Sequence, residues 1–193
     1  MYLNNPEYVK IGNKKYKINT DFRVAIDCDE VANDSSIGDY ERALAIIYLL
    51  YGEKGLLDYE NHNKLLELAK KYLACGKDLE TSSSKDKDMD FKQDMDYIEA
   101  SFMSDYGVWL PDVKMHWWTF FKLLNGLSNS ELGNCCILNR IRNLRNFDLK
   151  DIKDVKEREK ILKAKEQVAL KKEVKLTKEQ QKSVDEFYKS IGF

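Results

Sequence analysis

The sequence predicts a mainly α protein: a multi-helix bundle with a short N-terminal β-hairpin and an extended C-terminal helical region. Three observations predict it. Nine glycines and two prolines among 193 residues are about half the usual share, and all-β folds spend both on tight turns. Period-two alternation occurs in one short stretch, whereas apolar residues elsewhere recur every three or four positions. Hydrophobic residues at 43% permit a core, and charged residues at 34% leave a formal net charge of −1. That balance excludes a broadly basic nucleic-acid coat and a broadly acidic disordered chain.

The alternating stretch is residues 8–18. Tyr8-Val9-Lys10-Ile11 and Lys15-Tyr16-Lys17-Ile18 flank Gly12-Asn13-Lys14, a hairpin pattern. Its lysines suit a protected edge better than a phosphate-binding face. Thr20 then reads as an N-cap, with Asp21 in the first turn of a helix to about Asn33. Tyr40 to Tyr51 is apolar on most sides, which predicts a central helix, and Gly52 and Gly55 end it. A third helix runs from about Asn61 to Cys75, with Gly76 as its C-terminal stop.

Residues 77–90 contain Thr81-Ser82-Ser83-Ser84-Lys85-Asp86-Lys87-Asp88 and no periodicity, so they read as a flexible linker between units 1–76 and 91–149. The second unit opens on a helical stripe: Phe91, Met95, Ile98, Phe102 and Tyr106. Asp94 is expected on the polar side of that helix. Gly107 stops it, and Trp109-Leu110-Pro111 forms a rigid apolar elbow. Asp112 is expected to cap a helix carrying Trp117, Trp118, Phe120, Phe121 and Leu124. Ser128-Asn129-Ser130-Glu131 reads as a capping box for a helix that turns Ile137, Ile141 and Leu144 inward, with Arg140, Arg142 and Arg145 spread around it.

Composition changes at residue 150. Residues 150–193 hold 13 Lys or Arg and 9 Asp or Glu, a net of +4, against −5 for the rest. Ile152, Val155, Leu162 and Ala169 fit a helical repeat, but Glu159 and Glu166 interrupt its seam. The expectation is a charged, marginally amphipathic helix that orders on a partner. A final helix follows the capping box Thr177-Lys178-Glu179-Gln180 and carries Val184, Phe187, Tyr188 and Ile191.

Reactive chemistry has few candidates. Cys28, Cys75, Cys135 and Cys136 form no Cys-x-x-Cys pair, so free thiols in a reducing compartment are expected, not structural zinc. Asp86 to Asp90 imitates the start of a calcium loop, but Phe91 and Tyr97 stand where such a loop needs Gly and Glu. Asp27-Cys28-Asp29-Glu30 fans out around a helix rather than converging. His116 has no partner that sequence can name. Phosphate loops, nucleophile elbows and zinc-protease motifs are missing. The sequence therefore nominates no catalytic, cofactor-binding or metal-binding residue, and the expectation is a non-enzyme. Apolar runs fall short of the roughly 18 residues of a membrane span, and the start lacks a signal-peptide pattern, so a cytoplasmic location is expected.

The aromatic block is the densest feature. Trp117 and Trp118 point about 100° apart on a helix, so one core face cannot hold Trp117, Trp118, Phe120 and Phe121 together. Either that helix is central or part of its surface meets a partner. The nominated partner-binding residues are Trp109, Trp117, Trp118 and Phe121, with Leu162, Phe187 and Tyr188 on the C-terminal helices.

These residues carry a resemblance. Asp96-Tyr97-Ile98 with Phe102, Tyr106-Gly107-Val108 and Leu110, then His116-Trp117-Trp118 with Phe120, Leu123-Leu124 and Gly126-Leu127, then Ile141-Arg142, resemble the bacteriophage gene-product-fifteen family. Ile18-Asn19-Thr20-Asp21-Phe22-Arg23 and the Lys/Glu-rich C-terminus are similar as well. The resemblance implies a phage or prophage protein encoded near the tape-measure gene, acting as a non-catalytic tail-assembly chaperone in the bacterial host cytoplasm. Its implied partners are the tape-measure protein and the tail tube protein, with self-association open. Two alternatives stand beside it: a permanent tail or head-tail connector component, and a nucleic-acid-binding regulator using Arg140, Arg142, Arg145 and the basic tail. Interleaved acids make the last unlike a phosphate-tracking stripe.

Overall fold

In the computed structural model, residues 5–77, 87–129, 135–150 and 152–171 are described. Strands β1 (Tyr8–Ile11) and β2 (Lys14–Lys17) pair antiparallel with Tyr8 opposite Lys17 and Ile11 opposite Lys14. Gly12 takes φ 56° at the turn, which a Cβ would penalise. Tyr16 is the strand residue that enters the core. Its hydroxyl donates to Asp58, which also accepts from Lys14 Nζ at 2.8 Å and Asn61 Nδ2 at 3.0 Å. The Lys14 ammonium, then the Tyr16 hydroxyl and Asn61 amide, hold the Asp58 carboxyl down at about 2. This cluster ties the hairpin to the loop between the second and third helices.

The helices among the described residues are α1 (Phe22–Asn33), α2 (Asp39–Leu56), α3 (His62–Leu73), α4 (Met95–Tyr106), α5 (Trp117–Asn125), α6 (Ile137–Asn146) and α7 (Val155–Val168), with 3-10 turns at Tyr59–Asn61 and Leu110–Asp112. The mainly α architecture with one hairpin follows the sequence expectation. Two caps differ from it. Asp21, not Thr20, caps α1 by accepting from Arg23 N at 3.0 Å. Thr20 instead gives its carbonyl to Trp117 N at 2.8 Å. His116, not Asp112, caps α5, because Asp112 closes the 3-10 turn four residues earlier. Helix α2 also continues past its expected end, bending at Gly52 (φ 65°, ψ −162°) and running to Leu56.

One core joins the first three helices to α4, α5 and α6. Phe120 lies at its centre, stacked on Phe22 at 4.5 Å and on Phe102 at 5.2 Å between ring centroids. The described helices on the two sides of the expected linker, α1–α3 and α4–α6, therefore share their buried surface. The end of the intervening stretch is pinned: Lys87 pairs with Asp29 and Asp90, and Asp88 with Arg142. Residues 78–86 of the expected linker lie outside the described residues. So do Ser130 and Glu131 of the capping box; described helix α6 opens at Ile137, with Cys136 Sγ accepting from Asn139 N at 3.5 Å.

Helix α6 is rotated from the expected face. Leu138 and Asn139 are its buried residues, while Ile137, Ile141 and Leu144 are half-buried. Leu138, Arg142 and Arg145 follow helical spacing, so two of the arginines lie on the inward side. Asp94, expected to be solvated, is buried there to receive Arg145.

Candidate functional site

Helix α5 is wedged into the core, which resolves the angular problem of its aromatics. Trp117 is only 4% exposed, and its indole Nε1 donates to Leu73 O at 3.0 Å. A surface role for Trp117 is thereby corrected: its ring packs between Phe91, Phe120 and Phe121. Trp118 turns the other way, half-buried against Tyr72, and donates Nε1 to Tyr72 O at 2.9 Å. Phe121 is half-buried, with Lys77 Nζ 5.9 Å from its ring centroid. Trp109, at 48% exposed, is the tryptophan held open to solvent.

The elbow beside Trp109 is held by Arg23. Arg23 Nη2 donates to Leu110 O at 2.7 Å and Pro111 O at 3.0 Å, and Nη1 donates to Val113 O at 3.2 Å. Asp21 holds the same guanidinium at 3.2 Å. The elbow therefore has the carbonyls of Leu110, Pro111 and Val113 satisfied, and the exposed Trp109 ring stands beside it.

His116 is structural. Its Nδ1 accepts from Trp118 N at 3.0 Å, so Nε2 carries the proton and donates to Pro6 O at 3.0 Å. Both nitrogens are committed, which leaves no free base. Burial pushes the Cys28 thiol up to about 12 and the Cys75 thiol up to about 11, so neither is an activated nucleophile. Groups of His, Cys, Asp or Glu able to hold a metal do not occur among the described residues.

The acidic stretch around residues 88–94 is neutralised from α6. Arg145 gives Asp94 a two-pronged pair at 2.7 Å on each oxygen, with side chains 9% and 1% exposed. The same guanidinium donates to Asp88 O at 2.9 Å and Val168 O at 2.6 Å. Arg142 reaches Asp88 at 3.1 Å. Sequence reading missed this hub, although Asp94 falls on the Ile98–Ser101 stripe of α4, four and seven residues before them.

Helix α7 sits at the edge. No residue of it is buried. Ile161, Ala164, Lys165 and Val168 are half-buried towards α6, and Leu162 and Val155 are exposed. Polar contacts fasten its end: Lys165 Nζ donates to Phe147 O at 2.5 Å, and Lys171 exchanges two hydrogen bonds with the Gln93 amide. Phe187 and Tyr188 lie outside the described residues. A cavity of about 710 Å³ separates this arm from the Ile26 side of α1. Candidate helices long and apolar enough to cross a membrane do not occur among the described residues.

The family described as bacteriophage Gp15 protein matches residues 3–170, and the chain belongs to that family. No curated protein and no solved structure matches it.

Proposed function

We propose that this member of the bacteriophage Gp15 family is a non-catalytic tail-assembly factor that binds the tape-measure protein before the tail tube encloses it. The observation that carries the reading is Trp109, an open indole on an elbow fixed by Arg23. Met103 on α4 and Leu162 on α7 add exposed apolar surface. Such side chains suit a long, helical, partly apolar partner that must be covered reversibly. Each contact supplies about 25 cal/mol per Å² of buried apolar area, offset by ordering costs.

The nucleic-acid alternative loses its best residues, since Arg142 and Arg145 are spent on Asp88 and Asp94. The permanent-component alternative separates by location. Co-expression with the tape-measure protein of the same phage should raise its soluble yield severalfold, and mass spectrometry of purified virions should not find this chain. Unchanged solubility, or stoichiometric presence in virions, would contradict the proposal.

A further inference from the structure

The starts of α1 and α4 flank a groove of about 420 Å³ whose apolar lining is Phe22, Ile26, Met95, Leu110 and Pro111. Ile26 also lines the larger cavity beside the α7 arm, so the two depressions meet along α1. Each wall of the smaller groove carries one carboxylate: Asp27 on α1 and Glu99 on α4. Neither has a cationic partner among the described residues, whereas Asp21, Asp29, Glu30, Asp88, Asp90 and Asp94 nearby are all paired. Arg23, at the same rim, is occupied by Asp21 and three carbonyls.

From this geometry we infer that the groove between α1 and α4 docks an amphipathic helix of the partner, its apolar face on Met95 and Pro111 above the buried Ile26 and basic residues on both flanks meeting Asp27 and Glu99. The lining runs from Phe22 to Asp27 on α1 and from Met95 to Glu99 on α4, about 6–8 Å of each helix at 1.5 Å per residue, which offers walls for one to two turns of a third. Helix-in-groove recognition reads apolar anchors at i, i+3, i+4 and i+7, with charge at the edges setting orientation and partner choice. Partial desolvation, with Glu30 and Asp21 nearby, pushes the exposed Asp27 carboxyl above its ordinary range; a docked cation relieves that cost. The elbow that forms one end of the groove is the one that carries Trp109. The inference rests on the tape-measure reading for the identity of the partner, and on the groove for its chemistry.

The test uses the full chain and two synthetic 18-residue helices sharing one leucine stripe, one flanked by lysines and one by glutamates. Amide shifts and titration calorimetry should place the lysine helix at Ile26, Met95 and Glu99, at least about tenfold tighter than the glutamate helix. The double variant Asp27→Asn/Glu99→Gln should erase most of that preference, while Asp96→Asn, a carboxylate outside the groove, should not. Met95→Asp should abolish binding of both helices, with the wild-type amide spectrum elsewhere showing that the fold is kept. Equal affinity for the two helices, or shifts confined to α7, overturns the inference. So does displacement of the chain's own residues 177–193 from the groove, detected as groove shifts in Phe187→Asp/Ile191→Asp without any peptide. A tape-measure fragment run in parallel separates the two proposals. Capture that survives the groove variants sinks the groove alone; failure of wild-type capture sinks the tape-measure reading while the synthetic helices still judge the groove.

Discussion

Helix α5 takes Trp117, Phe120 and Leu124 out of water, whereas the longer helix α7 takes out none. The first is held by area: stacked rings on both sides and indole donors satisfied by α3 carbonyls. The second is held at its end by Arg145, Lys165 and Gln93 reaching backbone groups. Apolar burial is non-directional and large, while exposed polar contacts exchange with water at little net gain. The difference teaches that the centre of this protein is fixed by shape and its edge is fastened by a few replaceable bonds.

The contrast breaks most visibly at the centre. Phe120→Ala should cost about 3–5 kcal/mol of stability, read as a lower midpoint in a urea melt. Asp94→Ala should cost a similar amount, about 3–5 kcal/mol, because it leaves the Arg145 guanidinium buried without its carboxylate. Replacing both members by apolar residues, Asp94→Leu with Arg145→Met, should lose much less. A loss as large in the double variant as in Asp94→Ala would show that the Arg145 bonds to Asp94 and to the Asp88 and Val168 carbonyls, not an orphaned charge, supply the stability.

Acid sharpens the comparison at the hairpin. Asp58 is held at about 2, below the ordinary carboxylate value near 4. The folded form therefore binds its proton less readily than the unfolded chain does. The stabilisation is fully present above about pH 4 and is lost as pH falls towards 2. Asp58→Asn should flatten that part of the stability-against-pH curve and leave the neutral-pH slope unchanged. An acid limb identical in wild type and variant would remove the cluster from the account. At the edge, Leu162→Ala should change stability by no more than about 0.5 kcal/mol, measured by the same melt.

Much of the fold was legible because burial writes a periodic signal. The spacing of Ile98 and Phe102, the all-round apolar run of α2 and the period-two hairpin each state a buried face directly. The caps were harder, since Thr20, Asp21, Asp112 and His116 all stand near helix starts, and the pairing of the Thr20–Phe22 and Met115–Trp117 backbones that goes with the observed caps is non-local. Charges misled most. Asp94 and Arg145 look solvent-facing alone, and their burial depends on meeting across 51 residues, a separation that no local pattern encodes. The aromatic block was half legible: its angular spread required two buried sides or a partner. Packing of Trp118 on Tyr72 supplies the second side, leaving Trp109 as the open ring.

Partner binding is read most directly at that open ring. The measurement is the affinity of the full chain for the tape-measure protein, by calorimetry, for wild type and Trp109→Ala alongside a thermal melt of each. The expected variant melts within about 0.5 kcal/mol of wild type yet binds more weakly by about 1–2 kcal/mol, as truncation of an interface tryptophan does. A variant that binds as tightly as wild type, or a wild type that does not bind at all, would contradict the proposal.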